Sequence, residues 1–73
     1  MENVNLIKAR EAYGISQEVM AAALNYEGLD TYTRLEDNEL YRPLPRNAAK
    51  IAAILEVEID SIFPGIDQKE ENN

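Results

Sequence analysis

Residues 15–36 read ISQEVMAAALNYEGLDTYTRLE, and this stretch decides the fold. Ser16 can cap a helix because its hydroxyl can accept a backbone N–H from the first turn. Glu18 follows in that turn, where a negative charge suits the positive end of a helix. Apolar side chains at helical spacing predict one buried face: Val19, Met20, Ala23 and Leu24. The first half of the stretch is therefore predicted to be a short amphipathic helix.

A turn and a second short helix are predicted to follow. Residues 25–28, NYEG, interrupt the periodicity and supply Asn and Gly, which favour turns. A helix from about 29 to 37 then carries Tyr32 and Leu35 three positions apart. Two short helices joined by a tight turn that contains Gly form a helix-turn-helix arrangement.

Three further helices are expected in the rest of the chain, and no strand. Their expected bounds are about 3–13, 46–55 and 59–63. Gly14 is expected to end the first of them, as Gly commonly does just past a helix. Residues 38–45 lack apolar periodicity and contain two prolines, which predicts a loop. The predicted core residues are Val19, Leu24, Tyr32, Leu35 and Ile51.

One domain is expected at residues 1–66, followed by a disordered acidic tail at residues 67–73. A chain of 73 residues is long enough for one domain at most. The tail is polar and charged, without an apolar residue that could anchor it to a core. The starting Met and this tail favour a complete small chain over a domain cut from a larger protein.

Composition argues against most kinds of catalytic site. The chain has no Cys and no His, which removes disulfides, thiolate nucleophiles, the usual zinc ligands and imidazole as a general base. No nucleophile–base set, metal cluster or Gly-rich phosphate loop is present, so we expect no enzyme activity, cofactor, metal or small-molecule substrate. No apolar run approaches the ~20 residues that span a bilayer. Without a signal-peptide pattern either, the expected location is the cytoplasm.

Charge is unevenly distributed along the chain. The formal net charge is −7, whereas a nucleic-acid binder is usually basic on at least one face. Four of the seven basic residues nevertheless fall within 17 positions, just after the predicted turn: Arg34, Arg42, Arg46 and Lys50. The acidic residues are concentrated toward the C-terminus. The predicted helix pair therefore has a local cluster of cations beside it.

Several motifs resemble the Cro and lambda-repressor type of DNA-binding domain, the XRE family. They are AREAYG at 9–14, ISQE at 15–18, RLE at 34–36, a Pro-containing loop, and LEVEIDSIF at 55–63. The resemblance covers about residues 4–64. It implies an all-α, compact five-helix bundle with the helix-turn-helix as helices 2 and 3. It also implies a transcriptional regulator of phage or mobile-element type that binds the major groove of double-stranded DNA and acts by operator occupancy.

The resemblance assigns roles to individual residues. Gln17 matches a residue at the start of the second helix that reaches a phosphate. Positions that face the major groove are matched by Leu29, Asp30, Thr33 and Arg34, and positions along the DNA backbone by Arg42 and Arg46. Arg10 and Glu36 match a salt bridge between the first and third helices. The chain departs from the family by a turn one residue longer, by Asn25 where many members have Gly, and by acids at Glu27 and Asp30.

Each assignment has a structural alternative. Arg34 can bond guanine O6 and N7, or pair with Asp30, Asp37 or Asn38. Asp30 can accept from cytosine N4, cap its helix, or exclude unsuitable sites. Thr31 and Thr33 can contact bases through hydroxyl or methyl groups. Gln17 is either a phosphate ligand or an exposed helix starter. The remaining cations form either a phosphate clamp or ordinary solvated charges: Arg42, Arg46 and Lys50.

Two questions about partners remain open from the residues alone. The net charge of −7, with Glu27 and Asp30, favours a rival function: an acidic protein-interaction module that binds a basic partner or another regulator, and not DNA. A homodimer would suit a two-fold symmetric operator. Apolar residues near the C-terminus can supply that contact or can be used in the core: Ile59, Ile62 and Phe63.

Overall fold

The computed structural model describes residues 1–66, which form five helices and no strand. In chain order the helices are α1 (Val4–Tyr13), α2 (Gln17–Ala23), α3 (Leu29–Asp37), α4 (Pro45–Leu55) and α5 (Ile59–Ile62). The predicted all-α fold is confirmed, with α2 and α3 as the helix-turn-helix. The tail predicted at residues 67–73 lies outside the described residues.

Local sequence accounts for the helix ends. Gly14 adopts a left-handed φ of 84° and ends α1, as predicted. Ser16 caps α2 as predicted, since its Oγ accepts from the Val19 N–H at 3.1 Å. Helix α4 begins at Pro45, one residue before the predicted start, because a proline has the right φ for the first helical position and needs no N–H partner there.

The turn between α2 and α3 uses Asn25, and not Gly28, for its left-handed residue. Asn25 has a φ of 62°, which Asn tolerates better than most residues. Gly28 is extended, with φ −145° and ψ −178°, and precedes α3 as its N-cap. Since no side chain caps α3, its first backbone N–H groups are left to solvent or to a ligand.

The core contains four of the five residues predicted for it. Its fully or nearly fully buried apolar members are Leu6, Met20, Ala21, Leu24, Tyr32, Leu35, Ala48, Ile51, Ala52, Leu55, Ile62 and Phe63. The prediction for Val19 is wrong, because its side chain is 51% exposed. Helix α2 instead buries Met20 and Ala21, and its C-cap Leu24 is buried as well. At 100° per residue, this buried face is rotated by roughly 80° from the predicted one. Ala23, also predicted on the buried face, is exposed.

Helix α5 closes the core at the C-terminal end of the domain. It packs against α1 and α4. Ile62 is 1% exposed and Phe63 is fully buried. Ile59 is half-buried and packs against the core. The apolar residues considered for a homodimer contact are thus used in the core, and Ile62 and Phe63 are not available to a partner.

Candidate nucleic-acid interface

A buried ionic cluster sets the position of α3 relative to α1 and α2. Arg10 Nε donates to Glu36 Oε2 at 2.5 Å, and Arg10 Nη1 donates to the Ile15 carbonyl at 2.9 Å. Gln17 Nε2 donates to Glu36 Oε1 at 2.8 Å. The Glu36 side chain is only 2% exposed, so its two oxygens need these donors. Hydrogen bonding to Glu36 raises the pKa of Arg10, which keeps the guanidinium charged.

Tyr32 lies beside this cluster with its hydroxyl buried. The hydroxyl makes no hydrogen bond of normal geometry among the described residues. Burial, and then the neighbouring Glu36 carboxylate, raise the pKa of Tyr32 far above its usual value. The phenol is therefore neutral in the folded protein and contributes mainly its apolar ring to the core.

The Gln17 side chain, which was predicted to reach a phosphate, is bound to Glu36 within the protein. Its amide carries two N–H donors, and the bond to Glu36 uses one of them. The residue also lies in the first turn of α2, where backbone N–H groups lack helical partners. Glu36 thus fixes the direction of the Gln17 side chain while leaving one amide donor for a ligand.

The exposed edge of α3 carries the residues predicted to face the major groove. Leu29 is 38% exposed, Asp30 and Arg34 are exposed, and Thr33 is half-buried. Thr33 Oγ1 donates to the Leu29 carbonyl at 2.7 Å, so its hydroxyl proton is already used within the helix. Thr31 is half-buried and lines a surface cleft together with Tyr41 and Leu44.

Arg34 stacks on the loop that follows its helix. Its guanidinium carbon lies 5.3 Å from the centroid of the Tyr41 ring, within range for a cation–π interaction. In the described part of the chain it forms no salt bridge with Asp30 or Asp37, two of the alternatives that the sequence left open. Arg34 is thereby held toward the loop between α3 and α4.

The other predicted cations lie on this loop and on α4. Arg42 is exposed, and its Nη2 donates to the Pro64 carbonyl, which joins the loop to the end of α5. Arg46 and Lys50 are exposed and four residues apart on α4, so they share one face of that helix. The cations thus form two groups, one at the loop and one along α4.

Asn3 is a positioning residue that sequence reasoning missed. Its side chain is 8% exposed, accepts from the Leu6 N–H at 3.1 Å and donates to the Ile62 carbonyl at 2.8 Å. Its backbone N–H donates to the Glu36 carbonyl at 2.8 Å. An Asn directly before a predicted helix does suggest an N-cap. The contacts of Asn3 with Ile62 and Glu36, which are distant along the chain, cannot be predicted from the neighbouring sequence.

Comparison with known protein families agrees with this geometry. A helix-turn-helix family model matches residues 6–62, which includes all of the ionic cluster, α2, α3 and α4. The chain belongs to this helix-turn-helix family. The XRE-type protein is therefore a DNA-binding transcriptional regulator, and the resemblance to Cro and lambda repressor is confirmed.

The remaining comparisons add no relative. No match was found among curated proteins or among solved structures. Members of the family are DNA-binding regulators and not typically enzymes. No helix of residues 1–66 is both long enough and apolar enough to cross a membrane.

Proposed function

We propose that this helix-turn-helix protein is a regulator of phage or mobile-element type that acts by occupying an operator in cytoplasmic DNA. The supporting observation is the Arg10–Glu36–Gln17 cluster around the buried Glu36 carboxylate, which joins α1, α2 and α3. In helix-turn-helix docking, the second helix of the pair lies in the major groove while the first crosses the backbone. Because these contacts fix α3 relative to α1 and α2 before binding, they lower the cost of ordering α3 in the groove.

The phosphate contacts are assigned to one amide and three cations: Gln17, Arg42, Arg46 and Lys50. The second amide donor of Gln17 and the first-turn backbone N–H groups of α2 that Ser16 does not cap suit an anion. Arg46 and Lys50 share a face of α4, so both can follow one strand. With net charge −7, we expect weak binding with few phosphate contacts, and therefore an affinity that depends only modestly on salt.

Arg34 has two roles that experiment can separate. Stacked on Tyr41, it lies with the loop cations and can contact the backbone. A rotation away from Tyr41 would let it bond guanine instead. If Arg34 reads guanine, Arg34→Ala should cost about 1–3 kcal/mol and relax specificity at one base pair. If it contacts a phosphate, Arg34→Ala should weaken binding to all sequences alike.

Selection of bound duplexes from a random pool at low salt tests the DNA proposal. Recovery of one sequence motif at about 50 mM salt would support operator binding. A pool that stays random and unbound would contradict it. The Arg46→Ala variant should recover the same motif with lower yield, because a phosphate contact carries no base information.

A homodimer on DNA is the expected assembly, and the same selection tests it. Two half-sites should be recovered with a centre-to-centre spacing of about 10 base pairs or a multiple of it. Because Ile62 and Phe63 are buried, the contact between copies must use other residues. A motif without two-fold symmetry would indicate that one copy binds alone.

A second candidate function is an acidic interaction module that binds a basic partner and not DNA. The observation that favours it is the set of exposed acids around the start of α3: Glu18, Glu27 and Asp30. These carboxylates would repel the phosphates of a duplex that approached the start of α3. Recovery of a basic protein partner, together with failure of the DNA selection, would establish this function in place of operator binding.

A further inference from the structure

On the side of α3 that is predicted to face DNA, Asp30 and Thr33 offer hydrogen-bond acceptors, while the Arg34 guanidinium is stacked on Tyr41. Asp30 lies in the first turn and is exposed, and its carboxylate makes no hydrogen bond or salt bridge among residues 1–66. It does not cap its helix either, because Gly28 is the N-cap and no side chain bonds to the first N–H groups. Its carboxylate is therefore unpaired in the free protein.

Thr33 adds a second acceptor on the same face. It lies three residues after Asp30, so the two side chains are neighbours on the helix surface. Its hydroxyl proton is committed to the Leu29 carbonyl at 2.7 Å. The oxygen keeps lone pairs that can accept, and the methyl group remains apolar.

The other polar side chains of α3 nearby contact the loop, a cleft or the core. Arg34, one position beyond Thr33, is stacked on Tyr41 of the loop. Thr31 lines the cleft beside Tyr41 and Leu44. The hydroxyl of Tyr32 is buried in the core. Leu29, Asp30 and Thr33 thus give the base-facing edge two acceptors and apolar surface, and Arg34 borders this edge while stacked on Tyr41.

We infer that α3 reads the exocyclic amino group of a cytosine through Asp30 and that N4-methylation of this cytosine blocks binding. The inference rests on the proposed DNA-binding function and names the group in the operator that the site recognises. Cytosine N4 is the one major-groove donor without an acceptor on the same base, whereas adenine N6 lies next to the N7 acceptor. A carboxylate placed against guanine O6 and N7 or thymine O4 meets only acceptors, which excludes those bases.

The test uses the operator recovered by selection, with one modified base at a time. N4-methylcytosine carries its methyl group where the N4 hydrogen would point into the major groove. We expect one cytosine in each half-site at which this change lowers affinity about tenfold or more, in line with the loss of a specific base contact. Replacing each guanine with 7-deazaguanine, which lacks the N7 acceptor, should change affinity less than about twofold.

Protein variants provide a matched control for charge. Asp30→Asn should shift the preferred base at that position from cytosine toward adenine, because an amide can bond N6 and N7 together. Asp37→Asn removes the same charge from the other end of α3 and should leave the preferred base unchanged. Both variants reduce repulsion from DNA, so any equal rise in affinity is attributable to charge and not to base reading.

The outcomes separate this inference from the proposed function. Operator binding that is indifferent to N4-methylcytosine at every position would overturn cytosine reading while leaving DNA binding intact. A loss at a 7-deazaguanine position, without a loss at any N4-methylcytosine position, would also overturn cytosine reading and would assign the base contact to Arg34. If no duplex binds at all, the proposed function fails, and the inference with it.

Discussion

The side-chain amide of Asn3 donates to the backbone carbonyl of Ile62 at 2.8 Å, a contact between residues 59 positions apart. The same side chain caps α1 through the Leu6 N–H. One buried residue therefore joins the start of α1 to the end of α5. Through its backbone N–H it also contacts the Glu36 carbonyl, next to the ionic cluster that positions α3.

Asn3→Ala is expected to lower the free energy of unfolding by about 2–3 kcal/mol. The lost cap accounts for about 1 kcal/mol, and the Ile62 carbonyl left without a partner accounts for the rest. Urea denaturation followed by circular dichroism measures the change. Asn3→Ser keeps a capping oxygen but cannot reach Ile62, so it should lose an intermediate amount. Equal losses for the two variants would show that the contact with Ile62 contributes nothing.

Arg10→Ala should lower the free energy of unfolding by about 3–5 kcal/mol, because it leaves Glu36 as a buried charge without its main partner. Lys8→Ala, an exposed cation on the same helix, should change stability little. The double variant Arg10→Met with Glu36→Leu should be more stable than Arg10→Ala alone, since no uncompensated charge remains. A loss below about 1 kcal/mol for Arg10→Ala would indicate a pair that behaves like a surface salt bridge.

Tyr32→Phe is expected to raise the free energy of unfolding by about 1 kcal/mol, because a buried hydroxyl without a hydrogen bond costs stability. It should also reduce the loss of stability at alkaline pH. Folding raises the pKa of Tyr32, so above the unfolded value of about 10 the unfolded chain loses this proton while the folded protein keeps it. Ionisation of the unfolded chain lowers the free energy of unfolding, so stability is unaffected below that pH and declines as the pH rises above it.

The measurement for Tyr32 compares denaturation at about pH 8 and about pH 11. The wild-type protein should lose more stability between these two values than Tyr32→Phe does. Burial also raises the pKa of Tyr26, so the variant should retain part of the pH dependence. Identical pH dependence in the two proteins would mean that Tyr32 ionises as readily when folded as when unfolded.

Asn25→Ala should lower the free energy of unfolding by about 1 kcal/mol, since the residue has a φ of 62°, which alanine adopts poorly. Asn25→Gly removes the same side chain without that backbone penalty and should stay close to the wild-type stability. Thermal denaturation of the two variants measures the difference. If they were equally destabilised, the side chain of Asn25 and not its backbone conformation would be responsible.

Affinity for a selected duplex should fall with salt at a slope of about −2 to −3 in log K against log salt, from roughly −0.9 for each phosphate contact. Arg46→Ala should reduce the magnitude of this slope by about one unit and weaken all sequences alike. Lys8→Ala, on a helix without predicted contacts, should leave the slope unchanged. Fluorescence anisotropy over a salt series measures all three proteins. An unaltered slope for Arg46→Ala would remove this residue from the interface.

Much of the fold was accessible from the sequence because its signals are local. The Ser16 cap, the Gly14 stop and the turn at Asn25 each depend on a few neighbouring residues. The buried face of α2 was less accessible, since a seven-residue helix with a run of alanines leaves its orientation nearly free. Packing against the rest of the domain buries Met20 and Ala21 and leaves Val19 exposed to solvent.

The sequence by itself determined the elements of this protein, the helix-turn-helix pair and the family, because these depend on short-range periodicity, caps and turn residues. Only the tertiary structure decided how the candidate site is arranged. It places Arg34 on Tyr41, binds Gln17 to Glu36 and leaves the Asp30 carboxylate unpaired. Side chains on different elements meet only when the chain packs, so the direction of each donor and acceptor is a property of the folded domain.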